Sequence, residues 1–147
     1  MDLKEMIRRH EGKRLKPYLC PAGKQTVGYG YNFDDNTLPP EILSFMHLYG
    51  RITEEMAEEL LDRSIESATW QCRDLYPGFD GYPEARRFAL VDFVLNIGAG
   101  GARKFKKMLS AIKEGNWQKA ADKMADSLWF RQVGERGSEI VGMVRVG

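Results

Sequence analysis

The chain has 147 residues, 43% hydrophobic and 29% charged, a globular composition that excludes a disordered linker and allows one hydrophobic core. Lys and Arg number 22 against 21 Asp and Glu; the net charge of +1 lacks the basic excess of a duplex-DNA binder. No run approaches the ~18 consecutive apolar residues of a membrane span, and the charged N-terminus has no apolar stretch of signal-peptide type. The expectation is a single domain, monomeric, accumulating in the cytoplasm, with no membrane insertion and no nucleic-acid partner. Two cysteines, Cys20 and Cys72, make no disulfide framework and are expected to be reduced.

In chain order, Leu3, Met6, Ile7 and His10 recur at helical spacing behind Asp2, an N-cap residue, and Gly12 supplies a stop. Glu11 therefore falls in the last turn of a short helix. Lys16 to Cys20 and Gln25 to Asn32 are aromatic or β-branched and flank Pro21-Ala22-Gly23-Lys24, which predicts a hairpin. A five-residue connection would make Cys20 and Thr26 cross-strand neighbours on one face. The three glycines of this stretch, Gly23, Gly28 and Gly30, suggest tight turns or a close approach of another chain to the backbone.

A short helix is predicted from Pro39 to His47. Thr53 then caps a longer helix carrying an apolar stripe of Met56, Leu60, Leu61, Ile65, Ala68, Cys72 and Leu75, closed by Tyr76-Pro77-Gly78. Further helices are expected over Glu84–Ile97, Ala102–Glu114, Trp117–Ser127 and Glu135–Val144, with breaks at 98–101 and at Gly115-Asn116. The fold expected is α+β and mainly helical. A small antiparallel sheet lies in an N-terminal lobe of about residues 1–52, an interlobe helix covers about 53–76, and a helical C-terminal lobe covers about 77–147.

Glu11, Cys20 and Thr26 are separated by eight and then five residues, in the context Glu11-Gly12, Leu15-Lys16-Pro17-Tyr18 and Thr26-Val27-Gly28-Tyr29-Gly30. This resembles the T4-lysozyme-like phage endolysins, a family of lysozyme-type glycoside hydrolases. Ile52-Thr53-Glu54-Glu55, the run Ala89 to Gly98, and Trp129 with Gln132 and Arg136 extend the likeness along nearly the whole chain. The resemblance implies a two-lobed lysozyme fold and a muramidase that cuts the β-1,4 bond between N-acetylmuramic acid and N-acetylglucosamine. Its partners would be peptidoglycan glycan strands, with holin-dependent release and no metal or organic cofactor. It also implies Arg136 as an ion-pair partner of the catalytic glutamate and Asn96 as a polar residue lining the cleft; Tyr31 and Asn32 join them as candidate substrate contacts. Tyr31 stands where many members carry His, and Glu139 where arginine is common.

The chemistry explains the residue types. Breaking a glycosidic bond needs a proton for the leaving oxygen, and of the three residues Glu11 alone can supply one near neutral pH. If the reaction inverts, a water must be aligned on the opposite face of the sugar and partly deprotonated. Thr26 can hold that water through its hydroxyl. A free thiol is only a few per cent ionised at pH 7, with a pKa of about 8.5, so Cys20 could act as base, as nucleophile or as a positioner of water. Lys16, Lys24 and Arg136 are candidate neighbours to lower its pKa.

Each residue also has a simpler reading. Glu11 beside Arg9 and His10 could be a solvated helix end, Cys20 a small buried hydrophobe and Thr26 an ordinary strand residue. Asn96 and Arg136 could equally be structural partners. Cys72 belongs to an apolar stripe, Trp117, Trp129 and Phe130 read as core anchors, and the basic run of residues 103–107 reads as an exposed face that could meet wall carboxylates. Three rival functions stand beside the hydrolase. They are a lytic transglycosylase, a thiol peptidase using Cys20 with His10 or His47, and a non-catalytic wall-binding module.

Overall fold

A computed structural model describes residues 2–147. It is mainly helical with one small sheet, and it divides into two compact units that meet in sequence between Ser64 and Ile65.

In the first unit, α1 (Leu3–Glu11) starts where the Asp2 carboxylate accepts the Glu5 N–H at 2.8 Å and stops at Gly12, whose N–H returns to the Arg8 carbonyl. Met6 and Ile7 are its buried residues. On its polar side Arg8 grips Glu58 through two hydrogen bonds of 2.8 and 2.9 Å. Three strands follow, β1 (Arg14–Leu19), β2 (Gln25–Gly28) and β3 (Tyr31–Asn32), antiparallel in the order β1-β2-β3. Val27 and Tyr31 from the sheet pack with Leu38, Ile42, Ile52, Ala57 and Leu60 to form the core of this unit.

The register differs from the one expected. Thr26 lies opposite Tyr18, and Gln25 opposite Leu19. Cys20 sits just past β1, where its N–H donates to the Lys24 carbonyl and its carbonyl accepts the Gly23 N–H. That tight turn at Gly23 (φ 78°) shortens the connection and moves the pairing by two residues. Two residues preserve the face, so Cys20 and Thr26 become diagonal neighbours on the side of the sheet that Tyr18 shares.

Helix α2 (Pro40–Tyr49) outlasts its predicted end and stops at Gly50 in the left-handed conformation. Thr53 caps α3 (Glu54–Leu75) by accepting the Met56 N–H at 3.1 Å. The boundary between the units falls inside this helix.

The second unit holds the rest of α3, a 3-10 turn at Phe79–Gly81, and helices α4 (Glu84–Arg103), α5 (Lys106–Lys113), α6 (Trp117–Ala125), α7 (Leu128–Val133) and α8 (Glu135–Val146). Two boundaries correct the reading of the sequence. The glycine-rich stretch breaks the helix only at Gly98 (φ 77°, ψ 160°); the chain then regains helical geometry because Ala102 is fully buried, so α5 begins four residues later than expected. The helix expected to Ser127 ends at Ala125, and a further helix that the sequence reading did not include, α7, starts where the Ser127 hydroxyl accepts the Phe130 N–H. Phe93, Phe105 and Trp129 meet edge to face in the core, with Phe93 ring centres 5.0 and 4.8 Å from the other two. Trp117 is half-buried, edge-on to Tyr82 at 4.8 Å. Among the described residues no helix is long and apolar enough to cross a membrane.

Candidate active site

The N-terminal unit brings the three motif residues to the region of Tyr18 and Gly30. Glu11 is half-buried at the end of α1. Gly30, in the turn between β2 and β3, approaches it so closely that a Cβ there would lie 2.7 Å from Glu11 Oε2. Thr26 sits on the central strand with 3% exposure, between Tyr18 on β1 and Asn32 on β3, and its hydroxyl is 3.0 Å from the Lys24 carbonyl.

Cys20 is half-buried and a free thiol, pulled below its ordinary pKa. The largest cause is the Lys24 peptide N–H, opposed by partial burial and reinforced by the Ala22 N–H and the Thr26 hydroxyl. This corrects the expectation of a basic side chain: the Lys24 ammonium is paired with Asp35 at 2.9 Å, so Lys24 acts through its backbone. Tyr18 lies within reach of both Glu11 and Cys20. Its phenol is pushed up first by burial and then by the Glu11 charge, with a smaller push from Cys20, while Arg14 stacks 4.1 Å from its ring centre and pulls the other way.

Tyr31 and Asn32, expected as substrate contacts, have their polar atoms engaged within the unit. Tyr31 is a core residue whose hydroxyl donates to the Thr37 carbonyl at 2.6 Å. Asn32 Oδ1 accepts the Asp34 and Asp35 N–H groups and Nδ2 donates to Asp35, closing the turn after β3.

In the second unit, the Asn96 side-chain oxygen accepts the Trp129 Nε1–H at 2.6 Å. One turn earlier on α4, fully buried Asp92 takes Nε and Nη2 of Arg136 on one carboxylate oxygen at 2.8 and 2.7 Å. Reading the sequence assigned no role to Asp92 or Tyr18, and for Gly30 it expected a tight turn or a close approach to the backbone without naming Glu11 as what approaches. The signal for Asp92 was an acid inside Ala89-Leu90-Val91-Asp92-Phe93-Val94, where burial demands a cationic partner. For Gly30 it was a glycine between two tyrosines. Cys72 is fully buried and its thiol is pushed up to about 12 by that burial, which makes it a core residue as expected.

The profile of the phage lysozyme family matches residues 8–145. The chain is 30% identical over 161 positions to the pre-baseplate central spike protein Gp5 of Enterobacteria phage T4, an alignment covering 100% of this chain and 28% of that protein. It is 29% identical over 165 positions to probable T4-type lysozyme 2 of Dictyostelium discoideum, covering 99% of this chain and 95% of the relative. An endolysin of Bacillus phage B103 is 32% identical over 124 positions, covering 80% of this chain and 40% of that protein. The chain belongs to the phage lysozyme family and is a lysozyme-like hydrolase of the glycosidase type.

Proposed function

We propose that the protein is an endolysin of the muramidase type, hydrolysing the β-1,4 bond between N-acetylmuramic acid and N-acetylglucosamine in peptidoglycan to lyse a host cell. In this reading it collects in the host cytoplasm and reaches the wall after holin-dependent release. The family membership supports the reaction class, and relatives named endolysin support the role.

Glu11 is the general acid: its carboxyl gives a proton to the glycosidic oxygen as the bond breaks. The Thr26 hydroxyl and Cys20 serve the attacking water, with Cys20 as the base. The observation that carries this assignment is the position of Cys20 in the tight turn past β1, a diagonal neighbour of Thr26 on one face of the sheet; there the Lys24 and Ala22 peptide N–H groups and the Thr26 hydroxyl pull its thiol below its ordinary pKa. Donors around a sulfur favour its anion, and an anion beside a held water both accepts a proton and stabilises positive charge developing on the sugar ring. Thr26 has one hydroxyl proton. With Cys20 a thiol, that proton serves the Lys24 carbonyl; with Cys20 a thiolate, the hydroxyl turns to donate to sulfur.

Turbidity clearing of purified walls tests the roles. Glu11→Gln should clear at a rate lower by a factor of about 10²–10⁴, the range for loss of an acid catalyst. Cys20→Asp should retain activity because a carboxylate replaces the thiolate, whereas Cys20→Ser should lose most of it. Complete loss in Cys20→Asp would point to a thiol nucleophile and a peptidase instead.

A further inference from the structure

Cys20 and Thr26 are tied to one peptide group, the link between Lys24 and Gln25. Its oxygen accepts the Cys20 N–H at 2.9 Å and the Thr26 hydroxyl at 3.0 Å. Its N–H donates to Asp34 at 2.7 Å, and the Gln25 side-chain amide donates to the other oxygen of that carboxylate at 2.9 Å. Neighbouring bonds steady this grip. The Lys24 ammonium pairs with Asp35 at 2.9 Å, and the Gln25 carbonyl accepts the Phe33 N–H at 2.9 Å. Asn32 fixes the two acids in turn, its Oδ1 accepting both of their N–H groups and its Nδ2 donating to Asp35.

Asp34 and Asp35 are exposed, and exposed pairs of this kind add little to folding stability. Their effect on geometry is larger. A trans peptide is planar with its N–H and C=O pointing in opposite directions, so holding the N–H end sets where the oxygen points. We propose, resting on the roles given above to Cys20 and Thr26, that Asp34 is a positioning residue of the active site, with Asp35 in support. It aims the Lys24 carbonyl and so places both side chains for the attacking water. The N–H of the same Lys24 is the first of the groups that pull the Cys20 thiol below its ordinary pKa. Charge alone works the other way: losing the Asp34 anion would favour the thiolate, whereas losing the positioned N–H disfavours it. The two effects separate because Asp34→Asn and Asp34→Ala remove the same charge, and only asparagine keeps an acceptor for the Gln25 N–H.

The test compares folded Asp34→Asn and Asp34→Ala by the pH dependence of Cys20 alkylation with iodoacetamide; Cys72 is fully buried and does not compete. The alanine variant should reach half its maximal rate about 0.5 pH unit above the asparagine variant, about a threefold difference in thiolate at a given pH. On soluble peptidoglycan fragments its kcat should be about tenfold lower with KM within about twofold, since misplacing a reacting group by about 1 Å can cost ~10²-fold. Equal midpoints in the two variants would overturn the proposal. A gap in midpoint with equal kcat would uphold the placing of Cys20 and overturn its role as base. If Asp34→Ala does not fold, Asp35→Ala against Asp35→Asn makes the same comparison, with a gap of the same sign expected and none overturning the proposal.

Discussion

A methyl group at Gly30 would lie 2.7 Å from Glu11 Oε2, and the backbone there has φ +76°. Both facts oppose any side chain at this position. Gly30→Ala should cost about 1–3 kcal/mol for the left-handed backbone and should also displace the Glu11 carboxylate. Thermal denaturation in a double-mutant cycle separates the two effects: the loss should be smaller in a Glu11→Ala background, where only backbone strain remains. Equal losses in the two backgrounds would mean that the close approach is not felt. Cys20 offers a second residue-level test. Its lowered pKa means that the thiolate appears at a lower pH than in a free cysteine, so alkylation by iodoacetamide should reach half its maximal rate at a lower pH than glutathione does. Thr26→Ala removes one donor and should move that midpoint upward. The identity of these residues was legible from their spacing, because the chemistry restricts which side chains can serve. The source of the Cys20 shift was not legible, since peptide N–H groups leave no mark on residue type.

Elements were legible where an end carries a side-chain signal. Asp2, Thr53 and Gly12 each mark a boundary that the structure reproduces, and Thr53→Ala should cost about 1 kcal/mol of stability, read from the denaturation midpoint. Boundaries set by burial were not legible. The helical turn after Gly98 depends on Ala102 being enclosed, and the strand register depends on a tight turn whose geometry the residues 21–24 permit but do not dictate. The hairpin also has a pH-sensitive latch. Asp34 accepts the Gln25 N–H at 2.7 Å and its side-chain N–H at 2.9 Å, and these bonds, the backbone one foremost, hold the carboxyl below its ordinary range. A folded pKa below the unfolded one stabilises the hairpin above the ordinary carboxylate value and loses that contribution as pH falls through the folded value. Protection of the Gln25 amide from exchange should therefore drop at acid pH, once intrinsic exchange is corrected for, and Asp34→Asn should remove the dependence.

At the scale of the molecule, the expected α+β, mainly helical class with one small antiparallel sheet is the one observed. Hydrophobic periodicity was enough to establish it, because each helix must bury one stripe. What periodicity could not provide was the partner of a buried charge. Asp92 and Arg136 are 44 positions apart in sequence, and their pairing exists only in the folded unit. Asp92→Ala should cost about 3–5 kcal/mol, the usual penalty for removing one member of a buried pair, measured by denaturant unfolding. We further propose that the chain unfolds as one lysozyme-like domain, since α3 contributes residues to both compact units. Calorimetry should then give one transition whose calorimetric and van't Hoff enthalpies agree.

The central claim is that Glu11 protonates a glycosidic bond that water then opens. Digestion of purified peptidoglycan in oxygen-18 water, followed by mass spectrometry of the muropeptides, tests it most directly. Wild type should leave reducing N-acetylmuramic acid ends each carrying one heavy oxygen, and Glu11→Gln should leave almost none. Unlabelled anhydromuramic ends, or labelling by Glu11→Gln at the wild-type rate, would contradict it.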